Sequence, residues 1–227
     1  TGSCNLVIVK QPDNTTVKFI VDCGLFQERK YSKNNESLPF IPANIDFCLV
    51  THNHVDHVGR LPFLVSKGFD KEIFISETTS KLLPLALEDS HKVLRDVAKR
   101  QNRPCLYTES DVAQTMKLIR PCKYNQTVQI RPNIKATFFQ NGHLMGATSI
   151  LVQIGYPGYE NINLFFTGDY NNKNMFFDVP PLPEWVLDLP LTLIQESTYG
   201  DMNSSEIEKC FKENILCLLY TSPSPRD

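Results

Sequence analysis

Short runs of apolar residues recur along the chain, and most of them are rich in β-branched and aromatic side chains. Such residues fit the pleated, half-buried surface of a strand, and polar or turn-forming positions separate one run from the next. The pattern therefore predicts eight β-strands, which cover residues 6–9, 17–21, 47–50, 73–75, 136–139, 149–154, 163–166 and 191–194.

Two stretches between these groups of strands have helical spacing instead. The first covers residues 79–100, and in the second Val112, Met116 and Ile119 recur four and then three residues apart. Pro121 cannot continue a helix, so we expect the second helix to stop before it. Two groups of strands that flank helices predict an α/β protein whose sheets pack between helices.

The composition is that of a globular protein, with 41% hydrophobic and 21% charged residues among 227. These fractions exclude a disordered or a collagen-like chain. No apolar stretch approaches the roughly 20 residues of a membrane-spanning helix, and the first ten residues lack the pattern of a signal peptide. The formal net charge of -2 provides no positive field over the whole chain. We therefore expect no membrane partner, and any polyanion must be bound locally.

Cysteine usage indicates a reducing compartment, so we expect a cytoplasmic protein. The cysteines are odd in number, widely scattered and never in C-x-x-C spacing, which argues against a disulfide framework and against a zinc ribbon. Each is expected to be a small buried hydrophobic residue. They are Cys4, Cys23, Cys48, Cys105, Cys122, Cys210 and Cys217.

Several predicted strands are followed directly by a polar residue. Asp22, His52, Asp169 and Glu196 each come after a strand, and His143 lies a few residues beyond another. Strands inside a packed sheet are rigid, so side chains just past their ends are well anchored and can converge at one edge. The pattern predicts one functional site built from several loops.

The segment 51–60 reads T-H-N-H-V-D-H-V-G-R and holds three of the five histidines. Imidazole is a preferred ligand of zinc and needs little proton displacement at neutral pH. In a loop His52 and His54 can point to one side, while Asp56 and His57 turn toward a neighbouring position. The spacing therefore predicts two metal ions about 3.5–4 Å apart that share a bridging water or carboxylate.

Two further residues complete this expected site. His143 lies in N-G-H-L-M-G-A, where the flanking glycines permit close backbone approach. Asp169 lies in F-F-T-G-D-Y and is the expected bridge, because a carboxylate can give one oxygen to each ion.

Asp22 and Glu196 are expected to accept hydrogen bonds from ligand histidines or loop amides, although local hydrogen bonding in turns is an equal alternative. His91 should be a partly buried, hydrogen-bonded residue of the first helix rather than a ligand.

The motifs, taken together, resemble the metallo-β-lactamase superfamily and, within it, the β-CASP branch of RNA-processing nucleases. They occur in the family order. Asp22 matches the first motif, the histidine segment the second, His143 the third and Asp169 the fourth. Glu196 in E-S-T-Y-G is similar to the acidic motif that precedes the β-CASP insert. The resemblance covers roughly residues 1–215.

The resemblance implies an α/β fold, the αββα sandwich of the family, in incomplete form. Residues 1–200 would be the first lactamase segment and 201–215 the start of the insert. His52, His54 and His143 would bind one zinc ion, Asp56 and His57 a second, and Asp169 would bridge them. The family's last ligand and acid histidine lie farther along, so we expect little RNA turnover from these 227 residues alone. Residues 216–227 resemble a non-native adapter tail; an ordinary Ser/Pro-rich terminus is the alternative.

The function implied is a zinc-dependent hydrolase that cleaves phosphodiester bonds of single-stranded RNA with a hydroxide activated by two metal ions. Asp56 and Asp169 are the expected catalytic carboxylates, and Arg60 is a candidate phosphate contact. A second copy of the chain or the subunits of a processing complex are the expected protein partners. Two alternatives stay open: a thioesterase of the glyoxalase II kind on the same scaffold, and an inactive scaffold paralogue.

Overall fold

A computed structural model describes residues 2–171 and 173–198 of the chain. The chain divides into two compact units, Thr1–Ile194 and Gln195–Asp227. The first unit contains all the strands and helices described below. The predicted start of the insert at 201–215 and the predicted non-native tail at 216–227 lie outside the described residues.

The first unit contains two five-stranded sheets. In the first sheet the order is β1 to β5, with β1 antiparallel to β2 and the other neighbours parallel. In the second the order is β10-β9-β8-β7-β6, all antiparallel except β10 with β9. The strands are β1 (Asn5–Lys10), β2 (Thr16–Val21), β3 (Phe47–Leu49), β4 (Ile73–Ser76), β5 (Ile119–Cys122), β6 (Thr127–Arg131), β7 (Ile134–Gln140), β8 (Thr148–Ile154), β9 (Ile162–Phe166) and β10 (Leu191–Ile194).

Helices cover the outer faces of both sheets. The long helix α3 begins at Ser76, whose hydroxyl accepts a hydrogen bond from the backbone N–H of Thr79 (3.1 Å), and α4 begins with a reciprocal capping box between Thr108 and Asp111. The helices are α1 (Val55–Val58), α2 (Leu61–Ser66), α3 (Glu77–Arg100), α4 (Glu109–Leu118) and α5 (Glu184–Leu187), with 3-10 helices at Arg29–Glu36 and Pro42–Asn44.

Side-chain alternation along the strands creates the layers. In β3, Phe47 and Leu49 enter the core between the two sheets, whereas Cys48 enters the core between the first sheet and its helices. Helices α2, α3 and α4 contribute to that outer core, and Val186 of α5 packs on the outer face of the second sheet. The order helix, sheet, sheet, helix confirms the predicted αββα sandwich.

All eight predicted strands are present, and β5 and β6 are two further strands that the apolar pattern did not predict. The second helix ends at Leu118, so the assignment of Ile119 to its apolar face was wrong. Ile119 instead opens β5 and pairs with Ile73 of β4. Pro121 is tolerated there because β5 is the edge strand of its sheet. In the described part of the chain, no helix is long and apolar enough to cross a membrane.

We predict that Phe47→Ala destabilises the protein by about 3–5 kcal/mol, the usual cost of truncating a buried phenylalanine. Phe47 is fully buried and stacks on Phe19, with ring centroids 4.7 Å apart. Phe176→Ala is the matched control, because Phe176 is 83% exposed and its truncation should change stability by no more than about 0.5 kcal/mol. Urea unfolding measures both, and equal effects would contradict the packing described above.

Candidate metal centre

The loop after β3 and the short helix α1 carry the histidine segment. His52 and His54 lie in the loop, and Asp56 and His57 lie on α1. His54 starts the helix, since its carbonyl oxygen accepts hydrogen bonds from the N–H groups of His57 (2.8 Å) and Val58 (2.9 Å). This tight turn brings the ring of His57 back to that of His52, with ring centroids 4.1 Å apart.

Two loops of the second sheet bring His143 and Asp169 to the same place. His143 lies between β7 and β8, and its Nε2 is 3.1 Å from Nδ1 of His54. Asp169 follows β9. Its Oδ2 lies 3.8 Å from Nε2 of His143 and 4.0 Å from Nε2 of His52, and its Oδ1 lies 3.3 Å from Nε2 of His57. The two oxygens of one carboxylate thus face two separate sets of imidazoles.

Four ligand atoms form a compact group within 4.8 Å of one another, and they belong to His52, His54, His143 and Asp169. His57 faces the second oxygen of Asp169 and adds a potential ligand beside this group. Asp56 is half-buried on α1 and is not a member of the group.

The chemistry of these residues fits a divalent cation. Nε2 of His52 is buried and has no hydrogen-bond partner among the described residues. A buried polar atom without a partner is costly, and coordination to a metal would satisfy it. Three imidazoles and a carboxylate form a donor set that zinc accepts readily.

Electrostatics within the group favour a neutral His52 and an ionised Asp169. Burial and the neighbouring histidines lower the pKa of His52 to about 2. Burial opposes ionisation of Asp169, but the hydrogen bond from His57 and the charges of the surrounding histidines outweigh it and lower the pKa of Asp169 to about 2. Both groups are therefore in the protonation state that binds metal at neutral pH.

The buried carboxylate of Asp22 anchors the histidine segment from below. It accepts hydrogen bonds from the backbone N–H of Thr51 (2.8 Å) and from Nδ1 of His57 (2.8 Å). Burial alone would lower the pKa of His57, but the negative charges of Asp22 and Asp169 raise it to about 10. Asp22 itself has a φ of 64°, the left-handed region that few residues other than glycine adopt. This unusual backbone conformation is consistent with a constrained functional turn.

The turn that follows Asp22 packs directly on the backbone of α1. Cys23 donates its N–H to the carbonyl of His57 (2.7 Å), and Leu25 donates to that of Val55 (2.9 Å). An added Cβ at Gly24 would lie only 1.6 Å from the carbonyl oxygen of Asp56. Only glycine permits this approach, and the close contact fixes α1 against the turn.

Asn141 joins the loops of His143 and Asp169, a role that was not predicted from the sequence. Its Oδ1 accepts the backbone N–H of His143 (3.2 Å), and its Nδ2 donates to the carbonyls of Thr167 (3.2 Å) and Asp169 (3.1 Å). An asparagine two residues before a candidate ligand is a common turn signal, so N-G-H could have indicated the bond to His143. The bonds to the other loop depend on tertiary contact.

Arg60 lies in an environment that argues against a contact with phosphate. Its guanidinium is buried and donates to the backbone carbonyls of Gly24 (2.6 Å), Asn34 (2.9 Å) and Ser37 (3.2 Å). These bonds turn the side chain toward the protein and away from solvent. Its position supports a role in tying the loop before β3 to the Gly24 turn.

Glu196 and His91 are the other two residues that the sequence singled out. Glu196 belongs to the second unit, where its carboxylate accepts a hydrogen bond from the hydroxyl of Thr198. His91 is half-buried on α3 and stacks on Tyr107, with ring centroids 5.8 Å apart. It is not a member of the ligand group.

A family model of the metallo-beta-lactamase superfamily domain matches residues 11–174, which include the histidine segment and the loops of His143 and Asp169. This chain belongs to the metallo-β-lactamase superfamily. The solved structure of Rm3 metallo-beta-lactamase has the same fold, with a TM-score of 0.50, 18% identity, and coverage of 91% of this chain and 77% of that one.

Curated relatives within the superfamily carry names from RNA processing. "Ribonuclease TTHA0252" of Thermus thermophilus is 30% identical over 205 residues, 88% of this chain and 42% of the relative. "Cleavage and polyadenylation specificity factor subunit 3-II" of Arabidopsis thaliana is 30% identical over 191 residues, 81% of this chain and 29% of the relative. These relatives confirm the resemblance to the RNA-processing branch. The chain spans less than half of their length.

In metal-free protein we expect His57 to titrate at about pH 10 rather than near the ordinary 6.5. The ring is then protonated at pH 7. A cation that binds Nε2 must displace a proton, so its apparent affinity should increase as the pH rises toward 10. NMR titration of the ring signals with a chelator present measures the midpoint. Asp22→Asn should lower it, because one of the two flanking charges is removed. A midpoint near 6.5 in the unaltered protein would contradict this electrostatic description.

Proposed function

We propose that this chain supplies the metal-binding part of a zinc-dependent hydrolase that cleaves phosphodiester bonds of RNA. The observation that carries the proposal is the position of Asp169, whose two oxygens face His57 on one side and His52 and His143 on the other. That arrangement suits a carboxylate that bridges two cations. The names of the relatives support RNA as the substrate.

Each metal position has its own set of residues. His52, His54 and His143 would hold the first zinc ion, and Asp56 and His57 the second, with Asp169 common to both. When bound, two zinc ions lower the pKa of a shared water and neutralise the charge that develops on the phosphoryl oxygens. A further ligand for the second position would come from elsewhere in the complete protein.

The protein residues prepare this centre before any substrate arrives. Asp22 holds the ring of His57 through its Nδ1 and directs Nε2 toward Asp169. Asp56, which precedes His57 on α1, is the proposed acceptor of the proton released from the attacking water. Cleavage would leave a 5′-phosphate on the downstream fragment.

Single-stranded RNA is the proposed form of the substrate, and a processing complex or a second copy of the chain is the proposed protein partner. The formal net charge of -2 does not provide a general attraction for a polyanion. Phosphate contacts would therefore come from local cations and from the rest of the complete protein. One relative is named as a subunit of a cleavage and polyadenylation factor, which supports assembly into a complex.

The test is hydrolysis of labelled single-stranded RNA by purified full-length protein with and without zinc. We expect metal-dependent cleavage. Loss of an outer hydrogen-bond partner of a metal ligand typically lowers activity about 10–100-fold, and Asp169→Asn should lower the cleavage rate by more than this. Asp188→Asn makes the same change at an exposed site after α5 and should retain activity. Cleavage that persists in Asp169→Asn would overturn the proposed bridging role.

The same preparation distinguishes the two alternatives. A glutathione thioester replaces RNA in a parallel assay, and turnover of the thioester alone would establish a thioesterase. Metal analysis returning well under one zinc ion per chain would instead indicate an inactive scaffold. We expect at least one zinc ion per chain, because the ligand group is complete for one metal position.

A further inference from the structure

The hydroxyl of Thr51 lies buried at the centre of the polar groups below the ligand site. Its Oγ1 is 2.9 Å and 3.1 Å from the two carboxylate oxygens of Asp22 and 3.0 Å from Nδ1 of His52. It is also 3.4 Å from Nδ1 of His57, which makes a shorter bond of 2.8 Å to Asp22. Thr51 is 2% exposed, so its hydroxyl bonds are made within the protein.

A count of protons determines the direction of these bonds. An ionised carboxylate accepts hydrogen bonds and has none to donate, whereas a hydroxyl has one proton and two lone pairs. The single proton of Thr51 must therefore go to Asp22, which also receives the Nδ1 proton of His57. The oxygen of Thr51 can then meet Nδ1 of His52 only as an acceptor. Nδ1 of His52 must carry the proton.

We propose that Thr51 is a positioning residue that holds His52 in the tautomer protonated at Nδ1 and so keeps the lone pair on Nε2 for a cation. Nε2 is the buried atom without a described hydrogen-bond partner, and it lies 4.0 Å from Oδ2 of Asp169. In the opposite tautomer Nε2 would carry a proton and could not bind metal. The inference rests on the proposed metal centre, and it assigns to a hydroxyl the orienting role that a carboxylate or a carbonyl commonly plays.

Backbone contacts hold Thr51 in place independently of its hydroxyl. Its N–H donates to Asp22 (2.8 Å), and its carbonyl accepts from the N–H (2.9 Å) and the hydroxyl (3.0 Å) of Thr148. Valine has nearly the same shape as threonine and keeps these backbone bonds. Thr51→Val therefore removes the hydroxyl's hydrogen bonds to Asp22 and His52 and keeps the backbone bonds that anchor the loop.

The direct test is ring ¹⁵N NMR of histidine-labelled protein in the presence of a chelator. We expect His52 to show a protonated Nδ1 and an unprotonated Nε2 in the unaltered protein. A ring protonated at Nε2 would overturn the proposal without recourse to any variant. This measurement needs neither metal nor substrate, so it stays informative even if the protein fails to cleave RNA.

Substitutions then test the consequence for metal binding. Thr51→Val should lower zinc affinity about 10–100-fold, the usual effect of losing an outer partner of a ligand histidine, and should alter the His52 ring signals. Thr51→Ser keeps the hydroxyl and should restore both properties. Thr115→Val is the matched control, since that buried hydroxyl donates to the carbonyl of Asp111 within α4 (2.7 Å).

Competition with a chromophoric chelator measures the zinc affinities. Equal affinity and an unchanged His52 tautomer in Thr51→Val would overturn the proposal, as would a Thr51→Ser protein that behaves like Thr51→Val. Circular dichroism shows whether each variant is folded. If Thr51→Val does not fold, the tautomer of the unaltered protein still decides the question, because a His52 ring protonated at Nε2 would overturn the proposal.

Discussion

The buried carboxylate of Asp22 is the interaction on which the arrangement of the site depends. A charge inside a protein is tolerated only when hydrogen bonds replace its lost hydration. Here those bonds come from the backbone N–H and hydroxyl of Thr51 and from the ring of His57. Satisfying the carboxylate therefore fixes both ends of the histidine segment, because Thr51 precedes His52 and His57 lies one turn beyond His54.

Two sheets are needed to assemble the ligand group, because no single loop supplies it. The first sheet delivers the histidine segment and Asp22 at the ends of two parallel strands, while the second delivers His143 and Asp169. Asn141 joins the two loops of the second sheet, and the N–H of Thr148 at the start of β8 binds the carbonyl of Thr51. The ligand geometry is thus tied to the packing of one sheet against the other.

Part of the negative charge at the site is compensated before any cation binds. Burial lowers the pKa of His52, and repulsion from the neighbouring histidines adds to this effect, so His52 stays neutral. The carboxylate of Asp169 stays ionised among them, and His57 carries the compensating positive charge between two carboxylates. A metal ion would replace that proton, so the protein stabilises a positive charge at this position whether or not metal is present.

The sequence by itself determined eight of the ten strands seen in the described residues, an α/β class with sheets packed between helices, and the residues with ligand chemistry, because alternation of apolar residues and clustering of histidines are local properties. The αββα arrangement of the layers was implied by the family resemblance. The sequence failed where local pattern and tertiary pairing disagreed, as at Ile119, which has helical spacing but pairs with Ile73 in a sheet. Only the tertiary structure showed that Arg60 faces the protein interior, that Asn141 links two loops and that Thr51 lies between Asp22 and His52. Those roles depend on contacts between residues distant in the chain, and spacing along the sequence carries no information about the direction of a hydrogen bond.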